Sequence, residues 1–333
     1  MSTIRDVSKA AEVSIATVSR AISHPEKVSK STLKKVNAAI KKLQYRPNML
    51  SQSFRNKTAN CIVVLVPDIA NLFFTTVIKG IEEVAQKRGV NVLLGDTRDS
   101  SGRELDYIKL VETKQADGII QLRPYTKDDS ALPIDFVSAV NASGCENTPY
   151  PSVRIDNVSA AEEVVNYLIS IGHKRIGVIS GLVKNPHSID RLRGYKRALK
   201  RAGIEFDDRI VTEGDFSFWS GMNASEFFCR IPVEQRPTAV FCMNDEMAIG
   251  AIKGFKSKGV SIPRDLSITG FDDLEFSKYC DPALTTVSQP AEMIGKKSAE
   301  LLFQIIDGES PSQSEYVLPI EFIIRKSTSV PQP

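Results

Sequence analysis

Apolar residues recur at helical spacing in two short runs at the start of the chain. Over residues 3–11, Thr3 is placed to cap a helix, and Asp6 occupies the reciprocal capping position three residues later. Over residues 15–22, Ser14 is placed to cap a second helix. Two short helices joined by a tight turn are typical of a helix-turn-helix, a motif that leaves its second helix exposed.

A third helical run begins at Ser29 and supplies apolar surface that two short helices alone lack. Its apolar side chains recur at helical spacing as far as Leu43, which predicts a three-helix core. Lysines fill the other face of this run. In the second helix, the residues predicted to point outward are Ile15, Ala16, Thr17, Ser19 and Arg20.

Beyond residue 60 the pattern changes to short β-branched runs that alternate with helical ones. The predicted strands cover 61–66, 90–95, 118–122, 152–155, 175–180, 210–213, 238–243 and 266–271. The predicted helices cover 75–88, 103–115, 159–171, 189–202, 220–230, 246–258 and 291–307. Alternation at this spacing predicts an α/β body of two doubly wound parallel-sheet lobes that separate near Asp156. Ligands of such folds bind outside the carboxyl ends of strands, so a pocket is expected between the lobes.

Charge is divided unevenly between these two parts. The first sixty residues hold twelve basic and three acidic residues, a net charge of +9, whereas the remainder carries a net charge of −6. A basic head on an acidic body indicates a polyanionic partner for the head alone, and double-stranded DNA is the partner that suits a helix-turn-helix. For any single lysine, a solvated helix face is the plainer alternative.

Between head and body lies a predicted hinge. Pro47 ends the third helix, and Asn48 is placed to cap a helix that runs to about residue 56. A helix of about nine residues is too short to be stable alone in water, so its order is expected to come from a partner. A passive tether is the alternative. We therefore divide the chain into a helix-turn-helix head at 1–46, a hinge helix and linker at 47–60, and a two-lobed body at 61–333.

The composition argues against several other classes of protein. The five cysteines are scattered without CxxC spacing, which indicates neither a metal site nor a disulfide framework. No apolar run is long enough to span a membrane, and no signal peptide precedes Thr3, so a cytoplasmic protein is expected. The exported solute-binding proteins share such a body but begin with a signal peptide.

Enzymatic function is also not favoured. There is no GxGxxG after a strand, no P-loop and no GxSxG elbow, so no cofactor and no catalytic residue are predicted. His173 is interpreted as a turn residue, and Asp272 with Asp273 as hydroxyl acceptors rather than a general-acid pair. A nucleoside hydrolase or a dinucleotide-dependent dehydrogenase is the enzymatic alternative.

Several segments resemble the lactose-repressor (LacI) family of bacterial transcription regulators. They include TIRDVSKAAEVSIATVSRAI and YRPNMLSQSFR near the start, and VPDIANLFFTTVIKGIE, GHKRIGVISG, PTAVFCMNDEMAIGA and SITGFDD in the body. The resemblance covers essentially the whole chain. It implies a homodimer that binds palindromic operators, and a body similar to periplasmic sugar-binding proteins that binds a small effector and forms the dimer. No leucine-heptad tail follows the body, so a dimer rather than a coiled-coil tetramer is expected.

The resemblance also assigns DNA-binding roles. Ile15, Ala16 and Arg20 lie where the family reads base edges, and Arg20 is suited to bidentate contact with guanine. Phe54 stands where better-known members carry a leucine that is inserted into the central base step, so an apolar wedge of different shape is expected in the minor groove. The other predicted DNA-binding residues, most of them on phosphates, are Thr3, Ser14, Thr17, Ser19, Tyr45, Asn48 and Arg55.

In the body, the resemblance places ten residues in the cleft between the lobes. They are Asn71, Phe73, Phe74, Asn185, His187, Arg191, Phe216, Asn244, Asp272 and Gln289. Aromatic faces suit a ring, while Arg191 and Asp272 offer donors and acceptors to sugar hydroxyls or a base edge. Asn185 and His187 differ from the residues of the purine-responsive relative, which argues against a simple purine and favours a pentose or a nucleoside. Taken singly, each aromatic residue is more readily explained as core than as a ligand contact, whereas the matched set favours ligand binding.

The main hypothesis is therefore a dimeric repressor whose cleft ligand shifts the balance between two lobe arrangements and thereby the operator affinity. The alternative is a regulator of opposite sign, which needs a corepressor or a second transcription factor to hold DNA.

Overall fold

The computed structural model describes residues 2–45, 58–126, 138–146 and 148–332. Its contacts divide the chain after Ala59 into a head and a body. The predicted hinge helix over 48–56 lies outside the described residues and stays a prediction.

The head contains the three predicted helices, which are α1 (Ile4–Ala11), α2 (Ile15–Ser23) and α3 (Lys30–Leu43). The predicted capping box is present, because the Asp6 carboxylate accepts from the Thr3 backbone N–H at 2.8 Å and the Thr3 hydroxyl accepts from the Asp6 N–H. Ser14 caps α2 by accepting from the Thr17 N–H at 3.1 Å. The helices enclose a small core of buried Val7, Ala11, Val18, Ala21, Val36 and Ala39.

The first lobe of the body is built on a parallel sheet whose strand order is β11-β5-β4-β3-β1-β2, where β11 (Glu315–Val317) comes from a later part of the chain. Its first five strands are β1 (Cys61–Val66), β2 (Asn91–Asp96), β3 (Gly118–Gln121), β4 (Ala139–Ala142) and β5 (Ser152–Arg154). Two of its helices are α4 (Leu72–Arg88) and α5 (Ser101–Glu112). The sequence pattern did not predict β4, whose four buried residues are two alanines, a valine and an asparagine.

The second lobe is built on a smaller parallel sheet with the order β7-β6-β8-β9. Its strands are β6 (Ile176–Ser180), β7 (Val211–Glu213), β8 (Ala239–Cys242) and β9 (Ser267–Thr269). Its helices are α6 (Asn157–Ser170), α7 (Pro186–Arg201), α8 (Phe218–Arg230) and α9 (Asp245–Ser257). Two doubly wound lobes are therefore confirmed.

The chain passes between the lobes three times within the described residues. The remaining elements are β10 (Thr286–Ser288), α10 (Ala291–Ile306), β11 (Glu315–Val317) and β12 (Glu321–Ile323). Helix α10 packs on α4, and β11 pairs with β5, so the chain returns to the first lobe before β12 pairs antiparallel with β10 in the second. The predicted break near Asp156 accounts for the first crossing only, and the pattern did not predict β10, β11, β12 or their small antiparallel sheet.

His173 lies in the turn between α6 and β6, as predicted. Its side chain is buried, and its ring nitrogens contact the Thr238 hydroxyl at 2.8 Å and the Ser329 carbonyl oxygen at 3.0 Å. Burial lowers the pKa of this imidazole. These contacts tie the turn to the start of β8 and to the chain segment after β12, which is a structural role.

The five cysteines are not paired in disulfides. Cys61 and Cys242 lie in strands, Cys229 lies in a helix, and Cys145 and Cys280 lie in loops, all as free thiols. Within the described ranges, no cluster of side chains has the make-up of a metal site. No helix in the same ranges is both long and apolar enough to cross a bilayer.

Helices α8 and α9 cross so closely that glycine is required at their contact. A β-carbon at Gly250 of α9 would overlap the carbonyl oxygen of Phe218 on α8, and one at Gly221 of α8 would overlap the carbonyl oxygen of Met247. Both obstacles are backbone atoms, which cannot rotate away as a side chain can.

We therefore expect Gly250→Ala to lower the free energy of unfolding by about 1–3 kcal/mol, the usual cost of overpacking a core. The matched control is Gly102→Ala in α5, where the nearest heavy atom to an added β-carbon is 3.8 Å away. Alanine there should be neutral or stabilising by up to about 1 kcal/mol, because it is the better helix former. Urea unfolding of both variants measures the difference, and equal stabilities would contradict the packing argument.

Candidate DNA-binding face and effector cavity

The outward side of α2 presents the residues predicted to meet bases. Ile15 is 44% exposed, and Ala16 and Arg20 are exposed, whereas Val18 and Ala21 on the opposite side are buried in the head core. An isoleucine with this much exposure contributes little to the core and is free to contact an apolar base edge such as a thymine methyl. The Arg20 guanidinium is placed on the same exposed side.

The predicted phosphate-binding residues lie around this face. Thr3 and Ser14 stand at the N-termini of α1 and α2, where backbone N–H groups favour an anion. Thr17 and Ser19 are half-buried on α2, and Tyr45 packs against the head core after α3. Three further predicted DNA-binding residues lie outside the described residues: Asn48, Phe54 and Arg55.

A cavity of about 170 Å³ lies between the two lobes of the body, outside the carboxyl ends of strands from both sheets. All ten residues predicted for the cleft line this one cavity: Asn71, Phe73, Phe74, Asn185, His187, Arg191, Phe216, Asn244, Asp272 and Gln289. They come from both lobes, so any change in lobe arrangement changes the shape of the cavity.

Three of these residues are asparagines that cap helices. Asn71 accepts from the Phe73 N–H at 3.0 Å, Asn185 from the His187 N–H at 2.9 Å, and Asn244 from the Met247 N–H at 2.9 Å. The N-termini of α4, α7 and α9 therefore converge on the cavity. Their positive dipole ends partly offset the acidic side chains that line it.

Arg191, from α7, is fixed in place by the protein itself. It is 5% exposed, its Nε donates to the Asn157 amide oxygen at 2.9 Å, and its Nη1 donates to the Met243 carbonyl oxygen. Its guanidinium lies 3.7 Å above the ring centroid of Phe271. Burial lowers the pKa of Arg191 to about 10 against the opposing effect of Asp272, so the group remains charged at neutral pH. Such an immobilised donor loses little entropy when a ligand binds.

Asp272 faces Arg191 across the cavity wall. One carboxylate oxygen lies 3.9 Å from Arg191 Nη2 and accepts from Gln289 Nε2 at 2.6 Å. Burial raises the pKa of Asp272 to about 8, although Arg191 acts to lower it. Near neutral pH the group is therefore able to donate a hydrogen bond to a ligand in its protonated form and to accept one in its charged form.

His187 joins the lobes through a chain of hydrogen bonds. Because the Asn157 amide oxygen accepts from Arg191, its amide nitrogen faces His187 Nδ1 at 3.2 Å and donates to it. The imidazole proton then resides on Nε2, which faces the Ser143 hydroxyl of the first lobe at 3.5 Å. Burial and the Arg191 charge lower the pKa of His187 to about 3, so the ring is neutral at physiological pH.

Several residues that line the cavity have strained backbone angles. Phe216, Asp272 and Ser143 have positive φ angles of 69°, 121° and 59°. Residues with side chains adopt such angles at a cost of order 1–3 kcal/mol, and they collect at ligand-binding sites. The strain holds the Phe216 ring and the Asp272 carboxyl in orientations that relaxed backbone would not give.

The structure also brings to the cavity residues that sequence reasoning missed, notably Arg123, Asp68, Asp99, Ser143 and Asp215. Arg123 Nε lies 3.0 Å from Glu104 Oε1, a carboxylate of α5 that is itself fully buried. The sequence did contain a signal for three of them, because Asp68, Asp99 and Arg123 follow β1, β2 and β3 at the sheet edge where ligands bind.

Comparison with known proteins agrees with this architecture. Residues 3–48 match the family model of bacterial regulatory proteins, lacI family, and residues 165–328 match that of the periplasmic binding protein-like domain. The chain is similar to the HTH-type transcriptional repressor CytR of Escherichia coli (strain K12), with 39% identity over 329 residues that cover 98% of this chain and 96% of CytR. It is 36% identical over 330 residues to Catabolite control protein A of Priestia megaterium, covering 98% and 99% of the two chains.

A solved structure also matches the chain over nearly its whole length. The lac repressor dimer bound to operator and the anti-inducer ONPF matches with a TM-score of 0.88 at 27% identity, covering 98% of this chain and 99% of that one. A helix-turn-helix head followed by a two-lobed body with a cavity between its lobes defines the class of DNA-binding transcription regulators. The chain belongs to the LacI family of bacterial regulatory proteins and is similar to the repressor CytR.

Proposed function

We propose that the protein is a homodimeric transcriptional repressor that binds a palindromic operator and responds to a small molecule in the cavity between its lobes. The observation that carries this proposal is the convergence of aromatic, donor and acceptor side chains from both lobes on one cavity, in a chain with a basic helix-turn-helix head. A protein that acts on the chromosome in this way works in the cytoplasm.

The proposed effector is a pentose or a nucleoside. Phe74 and Phe216 are half-buried and offer ring surface for stacking, while Arg191 and Asp272 provide fixed polar partners for hydroxyls or a base edge. A cavity of about 150 Å³ holds one six-membered ring, so about 170 Å³ suits a single ring in the observed lobe arrangement. A nucleoside would require the cavity to widen toward its mouth.

The proposed dimer follows from the geometry of operators. A palindromic site repeats its half-site about one helical turn away, and two heads related by a two-fold axis meet both halves. The solved lac repressor that this chain resembles is a dimer on operator. In this proposal, the hinge residues Asn48, Phe54 and Arg55 contact the centre of the site, where Phe54 wedges a base step.

Effector and operator are linked because the cavity walls belong to both lobes. A ligand that binds one lobe arrangement more tightly shifts the population toward it, and the two binding free energies become coupled, typically by about 1–3 kcal/mol. We propose binding without turnover as the function of the cavity. A purified protein that converts nucleosides above background would contradict that part.

The experiment that tests the proposal begins with selection of binding sites from a randomised duplex pool by the full-length protein. The selected duplex is then titrated with protein in the presence of ribose, cytidine, uridine or adenosine. We expect a palindromic site and a loss of affinity with at least one of these compounds, about 5- to 150-fold by the usual coupling. Tighter binding would instead establish a corepressor. Failure to select any palindrome, or binding that does not weaken with salt, would contradict the proposal.

A further inference from the structure

One hydrogen bond joins the lobes beside the cavity without lining it. Glu246, in the first turn of α9 in the second lobe, accepts through Oε1 from the backbone N–H of Leu72 at 3.2 Å. Leu72 is the first residue of α4 in the first lobe. Glu246 is 7% exposed, so this contact is largely shielded from water.

The contact meets a need of α4. The first N–H groups of a helix have no partner inside the helix, and negative charge is stabilised at its positive end. Asn71 satisfies one of these groups, the Phe73 N–H, from the same chain segment. Glu246 satisfies another from across the lobe boundary, so the start of α4 is capped by both lobes only when they are arranged as observed.

The same turn of α4 carries part of the cavity wall. Asn71, Phe73 and Phe74 all line the cavity and all lie at the start of α4. The rings of Phe73 and Phe74 pack edge to face with centroids 5.6 Å apart, so a shift of this turn moves both. A contact that fixes the turn therefore also fixes the aromatic wall.

We propose that Glu246 is a positioning residue, which holds the first turn of α4 against the second lobe and thereby selects the lobe arrangement in which the cavity is complete. Glu246 does not touch the cavity itself. Any effect of Glu246 on effector affinity rests on the proposed function, whereas the effect of Glu246 on the lobe arrangement does not.

The test is hydrogen–deuterium exchange of full-length protein without effector or DNA, read at residue level. In Glu246→Ala we expect the Leu72 amide to exchange about tenfold faster or more, the change expected when a hydrogen bond to a charged group is lost. We also expect faster exchange in residues 182–188 across the cavity, which include the start of α7, where His187 meets Ser143. Glu246→Gln keeps an acceptor without the charge and should restore part of the protection.

The matched control is Glu162→Ala. Glu162 is 5% exposed and pairs with Arg197 and Arg201 inside the second lobe, so its loss should raise exchange around α6 and α7 but not at Leu72. Unchanged exchange at Leu72 in both Glu246 variants would overturn the proposal. Faster exchange at Leu72 without any change at 182–188 would also overturn it, because Glu246 would then be a local cap only.

These outcomes are independent of the effector titration described above. If exchange responds as expected but no sugar or nucleoside alters operator binding, the proposed effector class fails while the role of Glu246 in the lobe arrangement stands. If one of these compounds alters operator binding but exchange does not respond, the proposed effector class stands and the proposed role of Glu246 fails.

Discussion

Replacement of Arg20 by alanine is expected to lower the preference for operator over random duplex by about one to two orders of magnitude. The guanidinium lies on the exposed side of α2, where bidentate contact with guanine contributes about 1–3 kcal/mol of discrimination. Because the head core of Val7, Val18 and Val36 lies on the other side, the substitution leaves the fold intact. Fluorescence anisotropy with the selected duplex and a scrambled duplex, at one salt concentration, measures the ratio.

The control is Lys34→Ala on the exposed face of α3. A lysine that meets only the phosphate backbone should weaken both duplexes alike and reduce the slope of log affinity against log salt by about one. An equal loss on both duplexes in the Arg20 variant would show that Arg20 also binds phosphate and would contradict its assignment to a base.

Asp272→Asn is expected to weaken effector binding by about tenfold or more without lowering the free energy of unfolding at pH 8. A hydrogen bond to a charged group contributes about 1.5–3 kcal/mol, and asparagine keeps the shape of the side chain without its charge. The wild-type carboxyl is costly to ionise, because burial raises its pKa to about 8. Calorimetric titration with the effector found above, together with urea unfolding at pH 8, checks both parts.

The raised pKa also gives the wild-type protein a defined pH dependence. An aspartate in an unfolded chain titrates at about pH 4. Between about pH 4 and about pH 8 the folded protein therefore holds a proton that the unfolded chain releases, and the contribution of Asp272 to the free energy of unfolding falls as the pH rises. Asp272→Asn removes this contribution, so the variant should lose less stability than wild type over that range.

Asp215 provides a control of opposite sign at the same cavity. Although partial burial raises the pKa of this carboxyl, hydrogen bonds from Ser217 bring it below its usual value. Its contribution to stability is therefore present at neutral pH and lost as the pH falls. If Asp215→Asn and Asp272→Asn changed the pH profile in the same direction, the assigned environments would be wrong.

The head was predictable because its signals are local. Thr3, Asp6 and Ser14 cap helices within three residues of themselves, so the start of each helix is specified by its own neighbours. The apolar positions of α1, α2 and α3 then fix the core directly. The strands and helices of the body were predicted nearly as well where runs of β-branched and other apolar residues were continuous, as in β1.

What the sequence did not reveal depends on contacts between distant segments. Strand β4 contains Asn141, whose buried side-chain Nδ2 donates to the Arg123 carbonyl oxygen, a partner that only the folded sheet brings within reach. The Arg123 pair with Glu104 likewise joins β3's end to α5. For the cavity, the ten predicted residues came from the family resemblance, whereas Asn157 and Arg123 were not among them and emerged from the contacts in the folded protein.

The last two crossings of the chain between the lobes affect how the body folds during synthesis. Strand β11 forms an edge of the first sheet, and α10 covers its face against α4, although both lie near the C-terminus. A nascent chain on the ribosome thus holds the first lobe without its edge strand and one covering helix until almost all of the body has emerged. During that interval the apolar side of α4 is exposed, and premature termination upstream of Ala291 would release a polypeptide prone to aggregation.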